Sequence, residues 1–433
     1  MSAIAAVSTA GLMSYSRLQM ELRGNLPMDF LPQLAVCPRS HYVFNTEWLR
    51  DELRLHFDPF RELDAGADTH LTEYLVGYGP FEKLWGHWPS FLFAPAGGGK
   101  TAFRVRLARA CRVQQDGRRV FAAPFCPPRP DNPAVPLSES VYLGALLNAI
   151  AASLLLELAY RPDRFLDADA VLQQDIHLFL EQHLPGSLGY YLTQLEQSGS
   201  LQPLALAFDP AAIGLPGEPL PDRLRSFCAA LRSMPSESIS PTDPQTQLEQ
   251  IVELLKNRLR YEAVYLLVDG VDAYVQEPSL CLQLLEPLLA RLRAWEKQAL
   301  FVKCFLPREL QPILKQSAHQ SLLTSPTKVV IITWKAADLA NVVRERLRVA
   351  SEGMFDSLSA IATPDVENRI DDHLANQARP SVPRELVLLV QRVFYEHAGR
   401  VGPYGRLEQQ DFDAALRWYK GNQRSAGGRP PAR

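Results

Sequence analysis

The sequence is poor in cysteine and has little net charge, two features that mark several common classes of protein. Only six of its 433 residues are cysteines, and none of them forms a C-x-x-C pair. This argues against a cysteine-bound metal site and favours buried free thiols in a reducing cytoplasm. The formal net charge is only −3, which gives no overall support for a nucleic-acid or anionic-membrane partner.

Signals for export and for repeat architecture are also missing. The first basic residue is Arg17, so the chain lacks the charged start of a signal peptide, and no internal repeat is present. Residues 141–160 are almost all apolar and have the length of a membrane span. Because Glu157 would be costly in hydrocarbon, we expect a buried core helix there and no membrane association.

A glycine-rich segment is the most informative feature that is present. Apolar residues 90–94 predict a strand, Gly97 to Gly99 predict a tight loop, and Lys100-Thr101 opens a predicted helix. Glycines let successive backbone N–H groups turn toward one anion, and the helix N-terminus adds its positive dipole end. The pattern is that of a phosphate-binding P-loop, with Ala94 in place of the first glycine of G-x-x-x-x-G-K-[ST].

Each position of this loop has an expected role. Lys100 is predicted to reach the β- and γ-phosphates, and the Thr101 hydroxyl is predicted to hold Mg²⁺. Backbone contacts are expected along the rest of the loop. The predicted nucleotide-binding residues are Ala96, Gly97, Gly98, Gly99, Lys100, Thr101 and Ala102.

A second predicted strand ends in carboxylates. Residues 264–268 are fully apolar and are followed by Asp269-Gly270-Val271-Asp272. Beside a P-loop, this Walker B-like pattern predicts that Asp269 binds Mg²⁺ and that Asp272 acts as the base for an attacking water. The alternative is a plain capping aspartate at the end of a strand.

Candidates for sensing residues follow. Pro383-Arg384 begins a predicted helix, which would aim the Arg384 guanidinium at a γ-phosphate; the alternative is a solvated residue at a helix start. Lys303 and Arg308 lie where an inter-strand sensor or a finger to a neighbouring subunit would sit, but surface ion pairs are the preferred interpretation. Trp334 is expected to pack at the core boundary.

The organisation of the chain predicts an α/β fold. Buried apolar strands, predicted at 90–94, 119–125, 264–268, 299–306 and 329–333, alternate with helices, which indicates a parallel sheet covered on both faces. Helices are also predicted at 46–55 and, with a break at 77–80, at 71–84 in the lead-in, and at about 138–160, 173–195 and 221–232 in the insert. We predict a P-loop NTPase core with a helical insert and a C-terminal helical lid. The predicted parts are a helical lead-in (1–85), the α/β domain (86–335) with an insert (138–232) and a linker (233–246), the lid (336–421) and a disordered tail (422–433).

With these motifs together, the chain resembles AAA+-type P-loop ATPases, in particular the branch shared by the Cdc6-like and STAND signalling ATPases. The resemblance covers residues 85–420 and implies ATP as the nucleotide; no guanine-binding N-K-x-D motif is present. Gly270 stands where the usual AAA+ form has a glutamate, and Ala273 where an acidic residue usually follows. Slow hydrolysis is therefore expected.

These observations predict a cytoplasmic, ATP-binding and slowly hydrolysing ATPase that acts as a nucleotide-dependent conformational or assembly switch. Its partner would be a second copy of the chain or a separate protein. Two alternatives stay open: a DNA-associated ATPase of the Cdc6-like or transposition-regulator kind, and a scaffold that binds nucleotide without turnover.

Overall fold

A parallel β-sheet forms the centre of the protein. The computed structural model describes residues 47–75, 81–128, 130, 137–236, 243–274, 277–375 and 382–427. The strands are β1 Ser90–Ala94, β2 Val120–Phe125, β3 Ala263–Val268, β4 Leu300–Pro307 and β5 Lys328–Ile331. All neighbouring strands are parallel, in the spatial order β2-β3-β4-β1-β5. The predicted α/β class with a parallel sheet is confirmed, and each strand lies close to its predicted bounds.

Helices cover the sheet and extend from it. In chain order they are α1 Phe81–Leu84, α2 Lys100–Arg112, α3 Glu139–Tyr160, α4 Asp163–Leu166, α5 Ala170–His183, α6 Leu188–Ser198, α7 Gln202–Phe208, α8 Pro221–Arg232, α9 Pro244–Glu253, α10 Pro278–Lys297, α11 Leu310–Gln316, α12 Ala336–Ala350, α13 Pro364–Ala375, α14 Pro383–Val401 and α15 Gln409–Gly427. The last helix continues to Gly427, so the predicted tail is helical as far as the structure describes it.

The strands are apolar because both faces of the sheet are buried. Alternate residues of β1 enter different cores. Phe91 and Phe93 pack with the helical insert, whereas Leu92 and Ala94 pack with α2 on the other face. A strand buried on both sides therefore shows a continuous apolar run instead of an alternating pattern.

The path of the chain creates a crevice next to β1. From β1 the chain passes through α2 to the edge strand β2, and then steps back through β3 to β4. Strand β5 lies on the other side of β1. The direction of strand order therefore changes at β1, and ligands of open α/β sheets bind at the carboxyl end of such a strand. The glycine loop, residues 95–99, follows β1 at this end.

The insert is helical, as predicted, but contains more helices than expected. Residues 173–195 were predicted as one helix and form parts of α5 and α6, separated at Pro185-Gly186. The first helix ends at His183, where Leu184 is extended, and the positive φ of 108° at Gly186 redirects the chain before the second helix begins. Within the described residues, α3 alone has the length and apolar composition of a membrane-crossing helix, and most of it is buried inside the protein.

The lid, formed by α12 to α15, shares its core with residues near the N-terminal end of the described chain. Trp48 packs edge-on against Phe394 with ring centroids 6.1 Å apart, and its Nε1 donates to the carbonyl of Gly405 at 3.1 Å. Phe60 is buried in the same core. The helix predicted near residues 46–55 is a single wide turn, Trp48–Glu52.

The predicted helix at 71–84 includes a break at 77–80. Residues 71–75, before that break, form turns instead, whereas Phe81–Leu84, after it, are helical as α1; residues 76–80 lie outside the described ranges. The Tyr74 hydroxyl binds the Asp68 carboxylate, which also accepts from Arg346 Nη2 at 3.2 Å. The Arg346 guanidinium lies 4.3 Å from the Tyr74 ring centroid. Buried polar contacts of this kind outweigh a weak helical pattern.

A charged cluster is buried inside the lid. His397 Nδ1 lies 2.8 Å from Asp411 Oδ2, and His397 Nε2 lies 2.7 Å from the Tyr404 carbonyl. Both ring nitrogens face acceptors, which requires a doubly protonated ring. Burial opposes this, but the two acceptors raise the pKa of His397 above its ordinary value. Burial also opposes ionisation of Asp411, yet hydrogen bonds from His397 and Arg400 lower its pKa to about 2.

Candidate functional site

The glycine loop adopts a conformation that requires glycine. Gly97 and Gly99 have positive φ angles of 72° and 89°. A Cβ on Gly98 would lie 2.9 Å from the Pro95 carbonyl oxygen. Helix α2 begins directly after the loop at Lys100. The loop therefore delivers the backbone into a helix N-terminus, the arrangement that favours anions.

The Lys100 ammonium is buried at the base of the loop. It donates to the carbonyls of Ala94 at 3.2 Å and Pro95 at 3.0 Å, and it lies 2.7 Å from Asp272 Oδ2. Only 4% of the side chain is exposed. The lysine is thus pre-positioned beside the loop and has a carboxylate as its counter-ion.

Asp272 lies in a short turn after β3, and its ion pair with Lys100 was not foreseen from the sequence. Its second oxygen, Oδ1, is buried and has no hydrogen-bond partner among the described residues. Burial raises the pKa of Asp272 above the ordinary carboxyl value, and the Lys100 ammonium opposes that shift. The predicted role as a base therefore competes with a role as counter-ion to Lys100.

Asp269, the predicted Mg²⁺ ligand, follows the last residue of β3. Its Oδ1 accepts from the Gly270 N–H at 2.9 Å, and its Oδ2 lies 3.4 Å from Arg104 Nε. Among the described residues, no three His, Cys, Asp or Glu side chains cluster as a metal cage. Such a cage is not needed for Mg²⁺, which keeps water and phosphate ligands and takes one or two groups from the protein. Asp269 and Thr101 supply groups of that kind.

Gly270 occupies a position that rejects a side chain. Its φ is 89°, and a Cβ would lie 2.7 Å from Cys126 Sγ. A side chain at this position would strain the backbone and would have to displace the Cys126 thiol.

Cys126 itself is exposed, which corrects the expectation that the cysteines are buried; Cys111, Cys228, Cys281 and Cys304 are buried, and Cys37 lies outside the described residues.

The lid reaches the glycine loop through the start of α14. The Arg384 N–H donates to the Gly97 carbonyl at 3.3 Å, and the side chain of Arg384 donates from Nε to the Leu63 carbonyl at 3.3 Å. Ser381, which precedes this helix, lies outside the described residues. The structure thus brings the predicted sensor arginine directly to the loop.

Trp334 packs at the core boundary, as predicted, and is partly buried against two hydrophobic cores. Its Nε1 also donates to the Gly98 carbonyl at 3.1 Å, which links the segment after β5 to the glycine loop. The expectation of surface ion pairs is wrong for Lys303. Its side chain is fully buried, and Nζ donates to the carbonyls of Gly86 and Trp88 at 2.7 Å each. Arg308 is exposed.

These parts enclose one cavity of about 130 Å³. Most of the predicted site residues line it: Gly97, Gly99, Lys100, Thr101, Ala102, Asp272 and Arg384. Ala96, Gly98 and Asp269 do not contribute to its wall. The remaining wall is largely apolar, with Leu71, Leu75, Phe103, Val342 and Val387 among its residues.

A buried charge network next to Asp269 was missed by sequence reasoning. Asp209, in the insert, is 1% exposed and lies 3.1 Å from Arg104 Nη1. Arg112 also pairs with Asp209. Burial alone would raise the pKa of Asp209, but Arg112 and Arg104 outweigh it and hold that pKa below its ordinary value. The available signal was the spacing of Arg104 and Arg112 on one face of a helix.

Three comparisons, with protein-family models, with curated proteins and with solved structures, found no match to this chain.

Proposed function

We propose that this chain binds ATP with Mg²⁺, hydrolyses it slowly, and uses the nucleotide to control the position of its helical lid. The observation that carries the proposal is the cavity in which Lys100, Thr101 and Arg384 meet beneath the glycine loop. A helix N-terminus, a buried ammonium and a guanidinium converge there, which suits a polyphosphate. The strand order, with one strand between β1 and β3, is also that of AAA+-type domains.

The apolar part of the cavity wall suits a nucleobase. Leu71, Leu75 and Phe103 line the cavity together with the polar groups, and so does Val342 of the helix Ala336–Ala350. Ligand pockets combine such an apolar wall with a few convergent polar groups. The N-terminal segment and the lid therefore both contribute to the proposed base site.

The size of the cavity supports a switch. Its volume of about 130 Å³ is below the several hundred cubic ångströms of typical ligand pockets. Arg384 of the lid touches Gly97 of the loop at the same time. Admission of ATP would therefore separate the lid from the loop, and the lid surface would report that change to a second copy or to a protein partner.

The chain's own residues have distinct tasks in this proposal. Lys100 leaves Asp272 to bind phosphate oxygens, and Arg384 neutralises the terminal phosphate from the lid. Thr101 and Asp269 would hold Mg²⁺, which supplies charge neutralisation at the phosphates when bound. Asp272, once released, is positioned to accept a proton from water. Because Gly270 leaves no second carboxylate at that point, turnover is slow.

The test is titration calorimetry of wild type with Mg·ATP, with Mg·GTP as the competing nucleotide. Lys100→Met keeps the buried chain length and should abolish binding, whereas Lys315→Ala, a change at an exposed lysine on α11, should leave the dissociation constant unchanged. Equal binding by wild type and Lys100→Met would refute the proposed site.

A nucleotide-binding scaffold without turnover is the second candidate. The observation that favours it is the backbone at Gly270, whose positive φ disfavours a catalytic glutamate at that position. Phosphate release from Mg·ATP by wild type, absent in Asp269→Asn, would exclude the scaffold. Tight binding with no phosphate release in either protein would establish it.

A further inference from the structure

Arg104 is shared between two carboxylates that belong to different parts of the protein. Its Nε lies 3.4 Å from Asp269 Oδ2 at the end of β3, and its Nη1 lies 3.1 Å from Asp209 Oδ1 in the insert. The Arg104 side chain is only 10% exposed. One buried guanidinium therefore connects the proposed metal ligand to the helical insert.

The two carboxylates differ in what else they can bind. Asp209 is almost fully buried and has Arg112 as a second partner, so it remains paired with a guanidinium even when Arg104 is turned away. Asp269 is 13% exposed, and Arg104 is its ion-pair partner among the described residues. A divalent cation at Asp269 would consequently face the positive charge of Arg104 at close range.

We propose that Arg104 is a positioning residue that couples metal binding at Asp269 to the attachment of the helical insert through Asp209. The inference rests on the proposed nucleotide site. Arg104 neutralises Asp269 when no cation is present. It turns fully to Asp209 when Asp269 binds Mg²⁺, because two cations repel each other across a shared carboxylate. The insert is then held more firmly in the metal-bound state.

The direction of the effect on metal affinity follows from charge. Removing the guanidinium takes away one positive charge beside Asp269, the carboxylate that would hold the divalent ion, which in water-like surroundings would tighten metal binding about tenfold. The same change cuts the link to the insert. A purely structural arginine would weaken metal binding or leave it unchanged.

The chain offers a matched control on the same helix. Arg109 also ties α2 to the insert, with hydrogen bonds to the carbonyls of Ile213 at 2.9 Å and Gly214 at 2.8 Å. Loss of Arg109 therefore weakens the attachment of the insert without altering the charge next to Asp269. Arg104→Lys keeps the charge and serves as the conservative variant.

The experiment measures two quantities for wild type, Arg104→Gln, Arg104→Lys and Arg109→Gln. The first is the Mn²⁺ affinity of the full-length protein with ATP, followed by electron paramagnetic resonance. The second is amide hydrogen exchange of residues 202–217, compared between Mg·ATP and ATP with a chelator. Thermal denaturation without ligand establishes that each variant is folded.

We expect Arg104→Gln to bind Mn²⁺ about tenfold more tightly and to lose the Mg²⁺-dependent protection of residues 202–217. Arg104→Lys and Arg109→Gln should keep a metal affinity close to wild type. Unchanged or weaker Mn²⁺ binding in Arg104→Gln, in protein that still binds ATP, overturns the coupling and leaves the proposed function standing. Absence of ATP binding by wild type overturns both.

Discussion

The ion pair between Lys100 and Asp272 predicts that Asp272 lowers the affinity of the site for nucleotide. Asp272→Asn keeps the shape of the side chain but removes the charge that a nucleotide phosphate must displace from Lys100. At the observed 2.7 Å separation, two unit charges in water-like surroundings attract by about 1.5 kcal/mol. That energy corresponds to about a tenfold change in the dissociation constant.

The water-like value is the appropriate lower bound because 37% of the Asp272 side chain is exposed, although only 4% of Lys100 is. We therefore expect Asp272→Asn to bind ATP at least about tenfold more tightly than wild type while phosphate release falls. The difference should shrink as the pH falls, because protonation of Asp272 releases Lys100 in wild type, and burial has raised the pKa of this carboxyl.

The assay is calorimetric titration with a non-hydrolysable ATP analogue at neutral and mildly acidic pH. Asp269→Asn, titrated like the other proteins without Mg²⁺, is the control: the carboxylate that it removes pairs with Arg104, so the Lys100–Asp272 ion pair stays intact. If folded Asp272→Asn binds the analogue at neutral pH no more tightly than wild type does, then Asp272 does not compete with the nucleotide for Lys100, and the reasoning is refuted.

Three further predictions concern the surroundings of the site. Gly270→Ala should lower the free energy of unfolding by about 1–3 kcal/mol in chemical denaturation, and adding Cys126→Ala should restore part of it, because the new Cβ meets the Cys126 sulfur. Trp334→Phe should weaken ATP binding and cost about 1 kcal/mol of stability, since the loop loses one hydrogen bond; a Tm equal to wild type would contradict this. The His397–Asp411 pair should make stability pH-dependent. The pKa of His397 is raised in the folded state, so its contribution is complete below the unfolded value of 6.5 and is lost as pH rises through the raised pKa. Between pH 6 and pH 9, the denaturation midpoint of wild type should fall relative to that of His397→Gln.

The sheet could be predicted because its strands are buried on both sides. Runs such as residues 264–268 are short, continuously apolar and followed at once by Asp269-Gly270, and length, composition and flanking turn residues together favour a strand over a buried helix. The glycine loop was equally predictable, since three successive glycines before Lys100 leave little choice of local backbone.

Side-chain partners across long sequence separations were not predictable. Lys303 looked like a surface residue because one charge within an apolar strand gives no indication of its partners. Here the partners are two backbone carbonyls that precede β1. Asp209 gave no signal either, since its partners Arg104 and Arg112 come about a hundred residues earlier. Such contacts depend on tertiary packing, which the periodicity of apolar residues cannot predict.

The sharing of one core by both ends of the described chain has a consequence for biosynthesis. The hydrogen bond from Trp48 to Gly405 spans 357 residues. At ribosomal rates of about 5–20 residues per second, Gly405 is synthesised on the order of 20 to 70 seconds after Trp48. All five strands of the sheet are synthesised during that interval, before the last lid helices emerge. All strands of the sheet are thus synthesised while Trp48 and Leu49 lack their core partners, so we expect this apolar segment to need protection by chaperones during synthesis.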